Sequence, residues 1–128
     1  MRRMAHRIFV YGTLLNGEKN AAQIEGATFV GAAQTPPSFT LLDLGEHPAM
    51  LDDGVDAVHG EVYAVSDALL ARLDAFEEHP DVYRRSTIQL ADGSEAFTYM
   101  PRERPPGTRM PGGDWRGRVR PAAIRPDR

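Results

Sequence analysis

His6-Arg7-Ile8-Phe9-Val10-Tyr11, stopped at Gly12, is the stretch on which the fold turns. The uninterrupted β-branched and aromatic run from Ile8 to Tyr11 suits a strand covered on both faces, and Gly12 permits a tight bend directly after it. It reads as the central strand, with a loop opening from its end. Residues 20–24 fit a short helix and residues 28–33 a second strand. Pro36-Pro37 forces an extended break before a third strand at 39–42. After a turn-rich stretch at 43–48, Ala49-Met50-Leu51 meets Asp52-Asp53-Gly54, which predicts a hairpin turn before the chain resumes as a strand over 58–65. Residues 83–90 and 95–100, joined at Asp92-Gly93, predict another hairpin.

One segment carries a full set of helix signals. Ser66 can cap it, Asp67 favours its first turn, the apolar period runs through 67–78, and Pro80 ends it. From about residue 101 the Pro, Gly and Arg content reads as an irregular tail draped over the sheet. No internal repeat is present. The expectation is a strand-rich α+β fold in one domain spanning residues 1–128.

Composition sets the outer limits. The chain has 128 residues, 41% apolar and 26% charged, the profile of an ordinary soluble domain. No stretch approaches the ~18–20 apolar residues of a membrane-spanning helix. The apolar run after the basic N-terminus is shorter than the ~7–15 residues of a signal peptide, so a cytoplasmic location is expected. The sequence contains no Cys, which excludes disulfides, thiol nucleophiles and Cys-ligated metals. Net charge is −3, divided as +5 from Arg102 onward and −8 before it. A basic tail can bind nucleic acid, but this one holds five Pro and a single aromatic, Trp115, with no basic helix or stacking platform. No nucleic-acid partner is expected.

The predicted helix contains one carboxylate out of place. At ~100° per residue from Leu69, Leu73 falls near 40°, Leu70 near 100° and Phe76 near −20°, while Glu77 falls near 80°, inside the apolar stripe. Asp74 at about 140° lies at the edge and Glu78 at about 180° lies outside, so both read as solvated. A carboxyl on a core-facing stripe is desolvated, and in the last turn it also meets the negative end of the helix dipole. Both effects raise its pKa. Glu77 is therefore a candidate general acid or base. On helical geometry alone, the position is more often that of a partly buried Glu paired with Arg84 or Arg85, or capping a backbone amide.

Tyr11-Gly12-Thr13-Leu14-Leu15-Asn16-Gly17 places a turn after a buried strand, where successive N–H groups could face an anion. A plain tight bend explains the same residues. Neither phosphate-loop nor dinucleotide glycine spacing is present. His6, His47, His59 and His79 lack metal-ligand spacing on a predicted helix, so no metal is expected. No Ser stands in a nucleophile elbow. Tyr63, Tyr83 and Tyr99 fall on predicted strands, where an aromatic more often fills core than touches ligand.

Three groups of residues together resemble the γ-glutamylcyclotransferase superfamily, including γ-glutamylamine cyclotransferase and AIG2-like proteins. They are Phe9-Val10-Tyr11-Gly12-Thr13-Leu14, Gly60-Glu61-Val62-Tyr63-Ala64-Val65, and Leu73-Asp74-Ala75-Phe76-Glu77 followed by Pro80 and Tyr83-Arg84-Arg85. Gly113-Asp114-Trp115 is similar to the γ-glutamylamine branch and its bacterial relatives. The resemblance implies a mixed, β-barrel-like sheet with flanking helices. It makes Tyr11, Gly12, Thr13 and Leu14 the loop whose backbone holds a γ-glutamyl group, Glu77 the catalytic glutamate, and Tyr99 a further substrate contact. His47 stands where an aromatic is common, and the Arg/Pro-rich tail has no firm counterpart.

The implied reaction closes 5-oxoproline by attack of the substrate's own α-amine on its γ-amide, releasing an amine or amino acid without a cofactor. Two other readings stay open. One is a non-catalytic module that binds a small amine or carboxylate on the same fold, and the other is a protein that interacts through its Arg-rich tail. The sequence specifies neither the leaving group nor the oligomeric state.

Overall fold

The computed structural model describes residues 5–117. The central strand is β1, His6–Val10, which lies in the middle of a five-stranded sheet ordered β2-β5-β1-β7-β6. Its flanking partners are β5, His59–Val65, antiparallel, and β7, Glu95–Pro101, parallel through Ile8 and Phe97. Ile8, Phe9 and Val10 are buried, as their uninterrupted apolar run predicts. At one edge β2, Thr28–Gln34, pairs with β5. At the other β6, Tyr83–Gln89, forms the expected hairpin with β7.

A second sheet of three strands is ordered β4-β3-β8, comprising β3, Phe39–Asp43, β4, Pro48–Asp56, and β8, Thr108–Arg109. The architecture is thus mixed α+β, but the strands form two sheets and not a closed barrel. The flanking helices reduce, among the described residues, to one α-helix, α1, Asp67–Phe76, and two 3-10 turns, Ala21–Ile24 and Trp115–Gly117. None of these is long and apolar enough to cross a membrane.

Two expectations about connections are corrected. The hairpin turn predicted at Asp52-Asp53-Gly54 does not form, because β4 runs through these residues and pairs with β3, not β5. The reversal instead lies at 44–47, where the Leu44 N–H donates to the His47 carbonyl at 3.0 Å. Asp52-Asp53-Gly54 falls within the irregular stretch of that pairing, between Thr40↔Leu51 and Phe39↔Asp56. There Gly54 approaches β3 so closely that a Cβ would sit 2.0 Å from Thr40 Oγ1. The tail is also less irregular than expected as far as residue 117. Pro101 ends β7, Thr108–Arg109 pairs with β3, and Trp115 is only 2% exposed. Residues 118–128 of the predicted tail lie outside the described residues.

Helix α1 begins as predicted, with the Ser66 hydroxyl accepting from the Leu69 N–H at 3.2 Å. It ends two residues earlier than the apolar period suggests. Glu77 is its C-cap, and Glu78 adopts φ 55°. The left-handed residue turns the chain off the helix axis before the cis peptide His79-Pro80. Leu69, Leu70 and Leu73 are buried as the helical wheel predicts, but Phe76 is 37% exposed because the helix stops at it.

Candidate functional site

A cleft of about 290 Å³ opens where the end of β1, the end of α1 and the starts of β4 and β6 converge. Its lining includes all six residues singled out in the sequence: Tyr11, Gly12, Thr13, Leu14, Glu77 and Tyr99. It also includes residues that sequence reasoning did not assign, notably Asn20, Pro48, Val82 and Tyr83.

The loop after β1 is shaped from within. The Leu15 N–H donates to the Gly12 carbonyl at 3.0 Å, and Asn20 clasps Thr13 twice. Its N–H reaches the Thr13 carbonyl at 2.9 Å and its side-chain amide reaches Thr13 Oγ1 at 3.0 Å. Gly12 is required by proximity, since a Cβ there would lie 2.5 Å from Pro48 Cγ. Among the hydrogen bonds of the described residues, none is donated by the N–H of Gly12, Thr13 or Leu14. Three consecutive donors therefore sit in cleft-lining residues with no internal acceptor. The Leu14 side chain itself is core.

Glu77 reaches the cleft from the C-cap of α1, a position fixed by its N–H donating to the Leu73 carbonyl at 2.9 Å and by its carbonyl accepting from the Tyr83 N–H at 3.3 Å. Its carboxyl group takes no hydrogen bond or ion pair among the described residues. Burial alone pushes its pKa up to about 7. The salt bridge that sequence allowed between Glu77 and Arg84 or Arg85 is not present, because Arg85 pairs with Asp74. This corrects the reading of Asp74 as solvated. Its carboxylate binds the Arg85 guanidinium through one oxygen and accepts from the Tyr99 hydroxyl at 2.7 Å through the other.

The tyrosines around Glu77 are held in their neutral form. Burial, then the nearby Tyr83 and Glu77, raises Tyr11 well above its ordinary pKa, and burial with Glu77 pushes Tyr83 up to about 12. Tyr99 is raised further by burial and by the Asp74 carboxylate it donates to. The Tyr11 hydroxyl is committed within the fold, donating to the Tyr99 carbonyl at 2.6 Å. His47, which replaces the aromatic expected from the resemblance, meets the Tyr83 ring edge-on with centroids 6.4 Å apart.

What the cleft combines is chemically specific: N–H donors and a carboxyl that have no partner among the described residues, the carboxyl with a pKa of about 7, together with neutral phenols. Among the described residues no group of His, Asp and Glu has metal-binding geometry. Asn20 lies outside every motif, so only the fold could bring it in, whereas Tyr83 stands in the third group of the resemblance, where its place on a predicted strand read as core.

A family model described as gamma-glutamyl cyclotransferase, AIG2-like, matches residues 8–117. A Vibrio cholerae protein is 42% identical over 100 residues, 78% of this chain and 85% of its own. The gamma-glutamylaminecyclotransferase of Bos taurus is 37% identical over 113 residues, 77% of this chain and 67% of its own. The crystal structure of an AIG2-like protein from Mus musculus superimposes with a TM-score of 0.70 at 32% identity, covering 79% of this chain and 80% of that one. The chain belongs to the γ-glutamyl cyclotransferase, AIG2-like family.

Proposed function

We propose that the protein converts a γ-glutamyl compound into 5-oxoproline and a free amine or amino acid, with Glu77 as the general acid and base. The observation that carries this reading is the unpaired Glu77 carboxyl with a pKa of about 7, in the same cleft as the 12–14 loop. A group that is half ionised near neutrality can both take and return a proton.

The nucleophile belongs to the substrate. Glu77 removes one proton from the substrate's α-ammonium, and the freed nitrogen lone pair attacks the γ-carbonyl carbon. As the new C–N bond forms, that nitrogen loses a second proton. The tetrahedral intermediate collapses by breaking the old C–N bond while Glu77 protonates the departing nitrogen. Every atom of the lactam and the released amine comes from the substrate, no water is consumed, and the second proton ends on the amine. Holding the glutamyl chain curled so that amine and carbonyl meet replaces a demanding encounter with an intramolecular one. The free N–H groups of Gly12, Thr13 and Leu14 are suited to the α-carboxylate or to the developing oxyanion.

The test is release of 5-oxoproline from a panel of γ-glutamyl amino acids and γ-glutamyl amines, with Glu77→Gln alongside. Turnover by the wild type and loss of at least ~10²-fold in a folded variant is the expected outcome. A Glu77→Gln protein that turns over near the wild-type rate would refute the assignment. Protection against melting by these compounds without 5-oxoproline would favour a binding module instead.

A further inference from the structure

Three arginines of the C-terminal segment, Arg104, Arg109 and Arg116, pair with carboxylates of the body. Arg104 lies 3.5 Å from Asp53, Arg109 grips both oxygens of Asp56 at 2.9 and 2.8 Å, and Arg116 lies 3.2 Å from Glu61. The backbone follows the same path. β8 pairs with β3, the Met110 N–H donates to the Leu41 carbonyl at 2.8 Å, and the Gly113 carbonyl accepts from the His59 N–H at 2.8 Å.

The Arg116–Glu61 contact reaches the loop after β1 at Asn16. Glu61, on β5, is 8% exposed. One of its oxygens accepts from the Asn16 N–H at 3.0 Å and from the Tyr63 hydroxyl at 3.1 Å, and the other takes Arg116. Arg116 also donates to the Asn16 carbonyl. Asn16 is thus held at both its N–H and its C=O, two residues after Leu14. Neither Glu61 nor Arg116 lines the cleft.

We propose that the segment 108–117 is a strap that orders the substrate loop, with Arg116 and Glu61 as positioning residues that clamp Asn16 and thereby fix the N–H groups of residues 12–14. The strap rests on the geometry alone. Its effect on catalysis rests on the proposed γ-glutamyl reading of the cleft. A buried carboxylate that gathers three donors, one of them charged, holds its partners far more firmly than an exposed pair does. A loop held this way loses less freedom on binding, so removing the clamp weakens binding more than it slows the chemical step.

The experiment is hydrogen exchange on the full chain, read over residues 11–17, for wild type, Arg116→Ala and Arg116→Lys, with KM and kcat measured on a turned-over γ-glutamyl compound. Arg116→Ala is expected to speed exchange in the loop about tenfold while β1 and β5 stay unchanged, as loss of a charge-assisted hydrogen bond implies. KM should rise by about the same factor with kcat within about twofold, and Arg116→Lys should recover most of both. Loop exchange equal to wild type, or acceleration spread evenly over the sheet, would overturn the strap. Faster loop exchange in a protein that cyclises nothing would uphold it and count against the functional reading. If Arg116→Ala does not fold, Glu61→Gln keeps acceptors for Asn16 and Tyr63 while removing the charge that holds Arg116, and the same readouts decide.

Discussion

The Tyr11 hydroxyl donates to the Tyr99 carbonyl oxygen at 2.6 Å and accepts from the Met50 N–H at 3.3 Å. One phenol thus joins the end of β1 to β7 and β4 beneath the cleft. Tyr11→Phe would leave a buried carbonyl and a buried N–H without this partner, which costs about 1–3 kcal/mol. The urea midpoint is expected to fall accordingly, with kcat within a few-fold of wild type. A large loss of kcat at unchanged stability would move the phenol from the scaffold into the chemistry.

Glu77 couples stability to pH. Its pKa rises from 4.5 to about 7 on burial, so the folded chain holds a proton that the unfolded chain releases. Below about 4.5 both states are protonated and there is no penalty. Through the window up to about 7 the native state loses stability, and above it the full cost of a buried charge remains. Glu77→Gln never acquires that charge. It should melt with the wild type at pH 4 and exceed it by about 1–3 kcal/mol at pH 8. Melting curves at the two pH values check the sign, and equal differences at both would remove the pKa shift. In the wild type, kcat/KM should rise with pH to a plateau through an apparent pKa of about 7.

Local chemistry made parts of this legible in the sequence. The central strand followed from an apolar run too continuous for a half-exposed strand, the start of α1 from Ser66, and Glu77 from its angle on the helical wheel. What failed was decided at long range. Asp52-Asp53-Gly54 carries a turn signal, but β3 supplies hydrogen-bonding partners along β4 that a local reading cannot see. The wheel put Asp74 at the edge of the apolar stripe and took it as solvated, because angle alone does not reveal Arg85 and Tyr99 arriving from β6 and β7. The tail read as irregular because its Pro and Gly content hides the few residues that pair with β3 and fill the core at Trp115.

Gly12 tests how tightly the loop must pass the second sheet. A methyl group there would meet Pro48 Cγ at 2.5 Å and Cδ at 2.7 Å, and the proline ring cannot swing aside as a flexible chain would. Gly12→Ala should therefore displace the loop or the 44–47 turn and cost about 1–3 kcal/mol as an overpacked site does. With the loop moved, KM for a γ-glutamyl compound should rise more than kcat falls. A variant with wild-type stability and KM would show that the gap between Gly12 and Pro48 opens freely.

Asp74 is the hub of a network that links the helix to the hairpin wall of the cleft. Its side chain is about a quarter exposed at 24%, binds Arg85, and accepts the Tyr99 proton, while the Arg85 guanidinium also lies 4.9 Å from the Phe97 ring centroid. Because the Tyr99 proton is committed to Asp74, the phenol oxygen is left to accept hydrogen bonds, which suits an ammonium group in the proposed substrate. Asp74→Ala should cost about 1–3 kcal/mol, and Asp74→Asn less, since it keeps an acceptor for Tyr99 but loses the charge. Arg85→Ala combined with Asp74→Ala closes a thermodynamic cycle. A coupling of about 0.5–3 kcal/mol is expected for groups sharing one network, whereas strictly additive losses would make the two residues independent and leave Tyr99 to be oriented by packing alone.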